Sequence, residues 1–148
     1  MLVAPLPPDE HARLQALYAL ELLDTPAEER FDSVARLAAE IFQVPMAFVS
    51  LIDRERQWMK SRVGLTVCET SREISFCSHA ILGEEALVIP DTHRDPRFSG
   101  NPLVTGEPHV RFYAGQPLRG PGGQKIGTLC IADQEPHEPP LENRWLHS

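Results

Sequence analysis

The sequence has few basic residues, few cysteines and no long apolar run, and each shortage excludes a class of protein. Only 14 basic residues stand against 21 acidic ones, giving a net charge of −7. That balance argues against nonspecific nucleic-acid binding, which needs a basic face. No stretch approaches the roughly 20 apolar residues of a membrane helix, and residues 1–8 lack a secretory signal. We therefore expect a cytoplasmic domain with neither nucleic-acid nor membrane partners.

The three cysteines, Cys68, Cys77 and Cys130, include no Cys-x-x-Cys pair. In a reducing compartment this odd number argues against a disulfide framework and a structural zinc site. Because free cysteines are usually buried, we expect Cys77 and Cys130 to be small core residues. The place of Cys77 near a helix start leaves a reactive thiol open as the alternative. We expect no metal and no cofactor.

What is present fits one domain, because 148 residues of which 42% are hydrophobic can form one core. Apolar residues at helical spacing predict a first helix over residues 8–22. A capping box at residues 25–28 then predicts the start of a second helix. Its expected core-facing stripe consists of Phe31, Val34, Ala35, Ala38, Ile41 and Phe42.

After Pro45 the pattern changes from helical to extended. Met46–Ile52 is almost wholly apolar, as in a central strand buried on both faces. Further strands are predicted over residues 57–63, 86–90, 110–118 and 125–132, and the Gly-Pro-Gly-Gly sequence at 120–123 marks a turn between the last two. Helices at the start followed by hairpins predict an α+β domain with an antiparallel sheet.

Two segments do not have the sequence pattern of the main helices or strands. Residues 74–81 predict a short helix, and residues 91–98 are too polar for a core element. Short helices and loops laid over one sheet face are how an antiparallel domain forms a ligand cavity. We therefore expect a pocket between the sheet and the segments 76–82 and 91–102.

Several sequence blocks together resemble the GAF domain family, in the subgroup found at the N-terminus of bacterial sensor histidine kinases and diguanylate cyclases. The blocks lie in order at residues 22–26, 49–53, 56–61, 72–81, 91–104, 111–118 and 127–133. The resemblance runs from about residue 9 to residue 136. It implies a five- or six-stranded antiparallel sheet with terminal helices on one face and short helices roofing a pocket on the other.

The resemblance also divides the chain and implies a role. Residues 1–8 are expected to be a linker, 9–136 the GAF domain, and 137–148 the start of a C-terminal signalling helix that continues past Ser148. The implied function is a non-catalytic sensory domain that binds an unknown small molecule, forms a homodimer through its terminal helices and acts on an output domain in cis. The alternatives are a thiol-dependent enzyme, such as a free methionine sulfoxide reductase, and a ligand-free dimerisation scaffold.

Family members that bind particular ligands carry sequence motifs that this sequence does not match. The Asn-Lys-x-Phe-Asp-Glu motif of cyclic-nucleotide sites is absent, and Ser78 separates Cys77 from His79 where bilin-binding members have adjacent cysteine and histidine. The cysteine spacing also differs from that of the methionine sulfoxide reductases. A shared fold does not choose among the remaining ligands.

The candidate pocket residues are those that carry charge or thiol chemistry near the expected roof. Arg111 is expected to be the main cation, with aspartates of the roof as its counter-charges, either as a structural ion-pair network or as ligand contacts. Phe112 and Tyr113 must point to opposite faces of their strand, so only one can face the pocket. The full set is Cys77, His79, Asp91, Asp95, Arg97, Arg111, Phe112 and Tyr113.

Overall fold

The apolar run after Pro45 forms a strand at the middle of a six-stranded antiparallel sheet. The computed structural model describes residues 1–137, and the predicted helix at the C-terminus lies almost wholly outside them. The helices are α1 (Glu10–Ala19), α2 (Glu29–Phe42), α3 (Cys77–Ala80) and α4 (Pro102–Thr105), with 3-10 turns at Arg72–Ile74 and Thr92–Arg94. The strands are β1 (Met46–Ile52), β2 (Arg56–Val63), β3 (Glu69–Ser71), β4 (Leu87–Ile89), β5 (Phe112–Arg119) and β6 (Lys125–Asp133).

The strand order is β3-β2-β1-β6-β5-β4. All seven residues of β1 are buried, as the continuous apolar pattern predicts for a strand covered on both faces. β1 pairs with the hairpin partner β2 on one side and with β6 on the other. The predicted α+β fold with an antiparallel sheet is therefore confirmed.

The two faces of the sheet pack against different layers. On one face, Ala35 and Ala38 of α2 pack with Phe112 and Ile131, and α1 packs over the end of β1. On the other face, a separate cluster combines Phe48 and Tyr113 with residues of the short covering segments. The N-terminal helices α1 and α2 and the roof thus lie on opposite faces, as expected.

The start of α2 differs from the predicted capping box. The residue before the helix is Glu28, and its side chain makes no capping hydrogen bond. Thr25 instead donates to the carbonyl of Leu22 (2.5 Å) and accepts from Nζ of Lys60 (2.6 Å). Lys60 of β2 is buried and its ammonium group needs oxygen partners, which this segment supplies. The cap prediction was wrong because a distant lysine uses the same side chain.

The apolar stripe of α2 is only partly buried. Ala35 and Ala38 lie in the core, but Val34 and Ile41 are exposed, together with Leu37, which is 56% exposed. These three residues recur along one side of the helix at i, i+3 and i+7. The dimer contact stays a prediction, and the apolar side chains available to it lie chiefly on α2 instead of α1.

One carboxylate connects α1 to the rest of the domain. Glu10 accepts hydrogen bonds from Arg13 (2.9 Å) and from Arg72 (2.6 Å). Arg13 is fully buried and also donates to the carbonyl of Ile52 at the end of β1 (2.7 Å). Burial raises the pKa of Glu10, but the two guanidinium groups outweigh burial and lower it from 4.5 to about 2. Glu10 is therefore ionised in the folded protein at neutral pH.

We expect Glu10→Ala to lower the free energy of unfolding by about 3 kcal/mol at pH 7, because it leaves two adjacent guanidinium groups without their counter-charge. Urea denaturation followed by circular dichroism measures the effect. Glu29→Ala is the matched control, since Glu29 forms an exposed pair with Arg36 on α2, and it should change stability by less than about 0.5 kcal/mol.

The stability difference between wild type and Glu10→Ala should also depend on pH. The folded pKa of Glu10 lies below its unfolded value, so its stabilisation is complete above about pH 4.5 and is lost as the pH falls towards 2. The difference between wild type and Glu10→Ala should therefore shrink over that interval. A difference that is constant from pH 6 to pH 2.5 would contradict the assignment.

Candidate functional site

A small, partly open cavity lies between the sheet and the roof segments. Its volume is about 40 Å³ and its walls are almost entirely apolar. Strands β1, β2, β5 and β6 supply the floor, and the loop after β2, the start of α3 and residues 103–110 supply the cover. The lining residues are Met46, Phe48, Gln57, Met59, Leu65, Val67, Thr70, Phe76, Cys77, Leu103, Pro108, Val110, Tyr113 and Ala132.

One corner of the cavity is polar. Gln57 of β2 and Thr70 of β3 are opposite each other in the strand pairing and both line the wall. Oγ1 of Thr70 is buried and has no hydrogen-bond partner among residues 1–137. Gln57 accepts a hydrogen bond from the hydroxyl of Ser75. Because an unpaired buried hydroxyl is costly, this corner favours a guest that offers a donor or an acceptor.

The cavity adjoins a groove at the protein surface. The groove has a volume of about 220 Å³, and it shares walls with the cavity at Met46, Leu65, Val67 and Pro108. Leu65 and Val67 belong to the loop between β2 and β3, and Val67 is 40% exposed. The cavity and the groove therefore border each other at these side chains.

The cavity wall also contains a buried thiol in contact with a second one. Sγ of Cys77 on α3 lies 3.3 Å from Sγ of Cys130 on β6. The hydroxyl of Tyr113 donates to Sγ of Cys77 (3.2 Å) and lies 3.4 Å from Sγ of Cys130. Cys77 and Tyr113 line the cavity, whereas Cys130 lies behind them.

A line of hydroxyl groups extends this cluster into the sheet. Oγ1 of Thr128 lies 2.8 Å from Sγ of Cys130 and 2.6 Å from Oγ of Ser50. Burial raises the pKa of Cys77, but hydrogen bonds from Cys130 and from the hydroxyl groups outweigh burial and lower it. Burial and the neighbouring Cys77 raise the pKa of Cys130 well above its ordinary value.

Two of the eight predicted pocket residues, Cys77 and Tyr113, line the cavity. Tyr113 faces the cavity and Phe112 faces the helical layer, which confirms that they point to opposite faces. The ring of Phe112 packs against His137 with centroids 4.3 Å apart.

The charged candidates pair with one another outside the cavity. Arg111 forms two 3.1 Å hydrogen bonds to the carboxylate of Asp91, which also caps the turn at Thr92–Arg94. Arg97 pairs with Asp95 at 2.7 Å. The hydrogen bonds from Arg111 and Arg97 hold the pKa of Asp91 and of Asp95, respectively, below the ordinary value. These pairs fasten the loop that follows β4.

His79 faces the N-terminal segment and not the cavity. Its Nε2 lies 3.1 Å from the carbonyl of Leu2, and its ring packs edge-on to Phe98. Burial lowers the pKa of His79. Leu2 also donates from its amide to the carbonyl of Arg97, so part of the predicted linker packs on the domain.

The cavity lies partly where the sequence predicted, because Phe76 and Cys77 of segment 76–82 line it. Segment 91–102 does not line it, whereas residues 65–70 and 103–110 do. The sequence analysis also missed Gln57, Thr70 and the contact of Cys130 with Cys77. Period-two alternation in β6 offered one signal, because it places Thr128, Cys130 and Ala132 on one face. Nothing local indicated that α3 would bring Cys77 to that face.

Other kinds of site find little support in the described residues. No group of three or more histidine, cysteine, aspartate or glutamate side chains within residues 1–137 is arranged to hold a metal ion. Across the same residues, no helix has the length and hydropathy needed to cross a membrane.

Solved structures with the same fold include two of different reported roles. A free methionine-R-sulfoxide reductase from Neisseria meningitidis, in complex with its substrate, superposes with a TM-score of 0.63 at 16% identity, covering 99% of this chain and 88% of that one. The GAF domain of a phosphoenolpyruvate-protein phosphotransferase from Coxiella burnetii gives 0.62 at 16% identity, covering 91% and 86%. At such identity the likeness establishes the fold alone.

A sequence relative is closer. The chain is 43% identical over 142 residues to a cyclic di-GMP phosphodiesterase of Pseudomonas aeruginosa. The match covers 96% of this chain but 24% of that protein, so the chain corresponds to about a quarter of its relative. The GAF domain family model matches residues 26–147. Since that match spans most of the sequence and the sheet, helices and roof agree with it, the chain belongs to the GAF domain family.

Proposed function

We propose that this chain is the sensory domain of a larger signalling protein and that the cavity beneath α3 receives its signal. The observation that carries the proposal is the cavity itself, which lies beneath short segments and contains a Thr70 hydroxyl with no partner among residues 1–137. An apolar cavity with a few polar groups has the composition expected of a small-molecule binding site. The domain itself is proposed to be non-catalytic, with any enzymatic output in another part of the protein.

The proposed output concerns cyclic di-GMP. The relative from Pseudomonas aeruginosa is named a cyclic di-GMP phosphodiesterase, and this chain corresponds to only part of it. The same similarity supports a signalling parent in general, which includes the histidine kinases and diguanylate cyclases expected from the sequence. Among these, a protein that acts on cyclic di-GMP fits the relative best.

The size and polarity of the cavity limit the proposed ligand. A single water needs roughly 10 to 15 Å³ of such volume, so about 40 Å³ accommodates only a few non-hydrogen atoms. Arg111 is paired with Asp91 outside the cavity, so no cation of the predicted set faces the guest. The ligand is therefore small and neutral or weakly polar, and anything of nucleotide size requires the roof to open.

The alternatives are distinguished by simple assays. A catalytic reductase would turn over free methionine sulfoxide with a thiol reductant, which the sensory domain is expected not to do. If the domain is a dimerisation scaffold that binds no ligand, substitutions that fill the cavity should not change the output. We propose that a homodimer accompanies the sensory role, formed by a second copy on the exposed Val34, Leu37 and Ile41 of α2.

The first prediction from this proposed function concerns a substitution that fills the cavity in the full-length protein. Ala132→Val adds two methyl groups at the cavity wall and should change cyclic di-GMP turnover in cells several-fold, because the signal can no longer bind. Ala114→Val is the matched control, since Ala114 is buried on the adjacent strand and faces the helical layer. Overpacking should cost both variants about 1 to 3 kcal/mol of stability.

Both variants are checked for folding by circular dichroism before output is compared. In the isolated chain, xenon under pressure should shift amide resonances of the cavity-lining residues in wild type and in Ala114→Val, but not in Ala132→Val. If the two variants change output equally, the cavity is not where the signal acts, and the sensory proposal is lost.

The second prediction concerns Arg111. Arg111→Ala should lower the free energy of unfolding by about 1 kcal/mol, since it removes a partly exposed ion pair, and should leave the xenon shifts unchanged. Arg97→Ala, which breaks the neighbouring pair with Asp95, serves as the control and should behave alike. Loss of xenon binding in Arg111→Ala alone would show that the arginine shapes the binding site.

A further inference from the structure

Two of the three cysteines are buried and in contact with each other beside the cavity. Cys77 and Cys130 lie 53 positions apart in sequence and come from α3 and β6, yet their sulfur atoms are 3.3 Å apart. Both are free thiols, and both are buried, whereas Cys68 is exposed.

We propose that Cys77 and Cys130 form a redox-reactive pair, which a small hydroperoxide entering the cavity converts to a disulfide. The proposal rests on the sensory function, since it names a chemical class for the signal that the cavity receives. The volume of about 40 Å³ admits hydrogen peroxide or a comparably small hydroperoxide and excludes bulky disulfide oxidants. The cavity borders the surface groove at Met46, Leu65, Val67 and Pro108, and the proposal has the oxidant enter there.

The geometry assigns a different role to each thiol. Cys77 lines the cavity, so it is the sulfur that meets the oxidant. The hydroxyl of Tyr113, 3.2 Å away, and the thiol of Cys130 can both donate hydrogen bonds to a Cys77 thiolate, which stabilises the nucleophilic form. Burial and the two thiols raise the pKa of Tyr113 well above its ordinary value, so this hydroxyl stays protonated and remains a donor.

The reaction balances in two steps. The Cys77 thiolate attacks the terminal oxygen of the hydroperoxide; the O–O bond breaks, an S–O bond forms, and the departing alkoxide or hydroxide takes up a proton. Cys130 then attacks the sulfur of the Cys77 sulfenic acid; the S–S bond forms, the S–O bond breaks, and hydroxide leaves as water with the proton of Cys130. The sum is two thiols and one hydroperoxide giving a disulfide, an alcohol or water, and one water.

Closing the disulfide must move α3. A disulfide needs its sulfur atoms about 2.05 Å apart, so the 3.3 Å contact has to shorten by more than an ångström. Cys130 is held in the middle of the sheet by pairing on both sides of β6, whereas α3 is a single turn of four residues. The oxidised state therefore draws α3 towards the sheet and narrows the cavity.

The test uses the whole chain in a Cys68→Ser background, which removes the exposed thiol. Brief treatment with hydrogen peroxide should reduce the intact mass by two hydrogen atoms, and peptide mapping should link Cys77 to Cys130. Dithiothreitol should restore the original mass. An unchanged mass, or irreversible oxygen addition as the main product, would overturn the pair.

Single substitutions separate the two roles. In Cys130→Ser the sulfenic acid at Cys77 has no resolving thiol, so dimedone should label Cys77; in Cys77→Ser, dimedone should leave Cys130 unlabelled. Equal labelling in both would show that the cavity does not direct the oxidant. The thiol-pair proposal and the sensory proposal can fail separately. If the disulfide forms but Ala132→Val leaves the output unchanged, the thiol pair stands and the sensory proposal fails.

Discussion

A single carboxylate sets the arrangement on which both faces of the domain depend. Glu10 lies on α1, over the helical face of the sheet, yet it is bonded to Arg72 in the turn that leads to α3 on the opposite face. Arg13 joins the same carboxylate to the end of β1. Because two guanidinium groups this close repel each other, the carboxylate must stay ionised and in place. The position of α1 is therefore fixed by the same charges that fix the roof.

The sheet divides the remaining side chains by simple alternation. Along β5, Phe112 points to the helices and Tyr113 to the cavity; along β6, Ile131 points to the helices and Cys130 to the cavity face. The register pairs Tyr113 with Ala132, which brings the tyrosine hydroxyl near both sulfur atoms. The thiol cluster is thus a product of register, and a shift of one residue would send Cys130 into the helical layer.

The parts of this structure that sequence predicted are those decided by local pattern. β1 and the β5–β6 hairpin follow from apolar runs and a Gly-rich turn, and the pairing of Arg111 with Asp91 follows from the need to compensate a half-buried charge. The failures all involve distant partners. The local sequence around Thr25 predicts a helix cap, but the side chain binds the distant Lys60. The local sequence around Cys77 predicts an ordinary core residue, and its contact with Cys130 depends on how α3 packs against β6. Most of the cavity walls were missed for the same reason, since they come from five separate parts of the chain.

The contacts around α3 connect the cavity to the terminal helix through a short series of hydrogen bonds. The hydroxyl of Ser78 donates to the carbonyl of Arg72 (3.0 Å), and the guanidinium of Arg72 holds Glu10 on α1. Cys77 is the neighbour of Ser78, so a displacement that brings its sulfur closer to β6 acts on the backbone that positions Arg72. Cys77, Ser78, Arg72 and Glu10 thus form a continuous series of bonded neighbours from the cavity wall to α1.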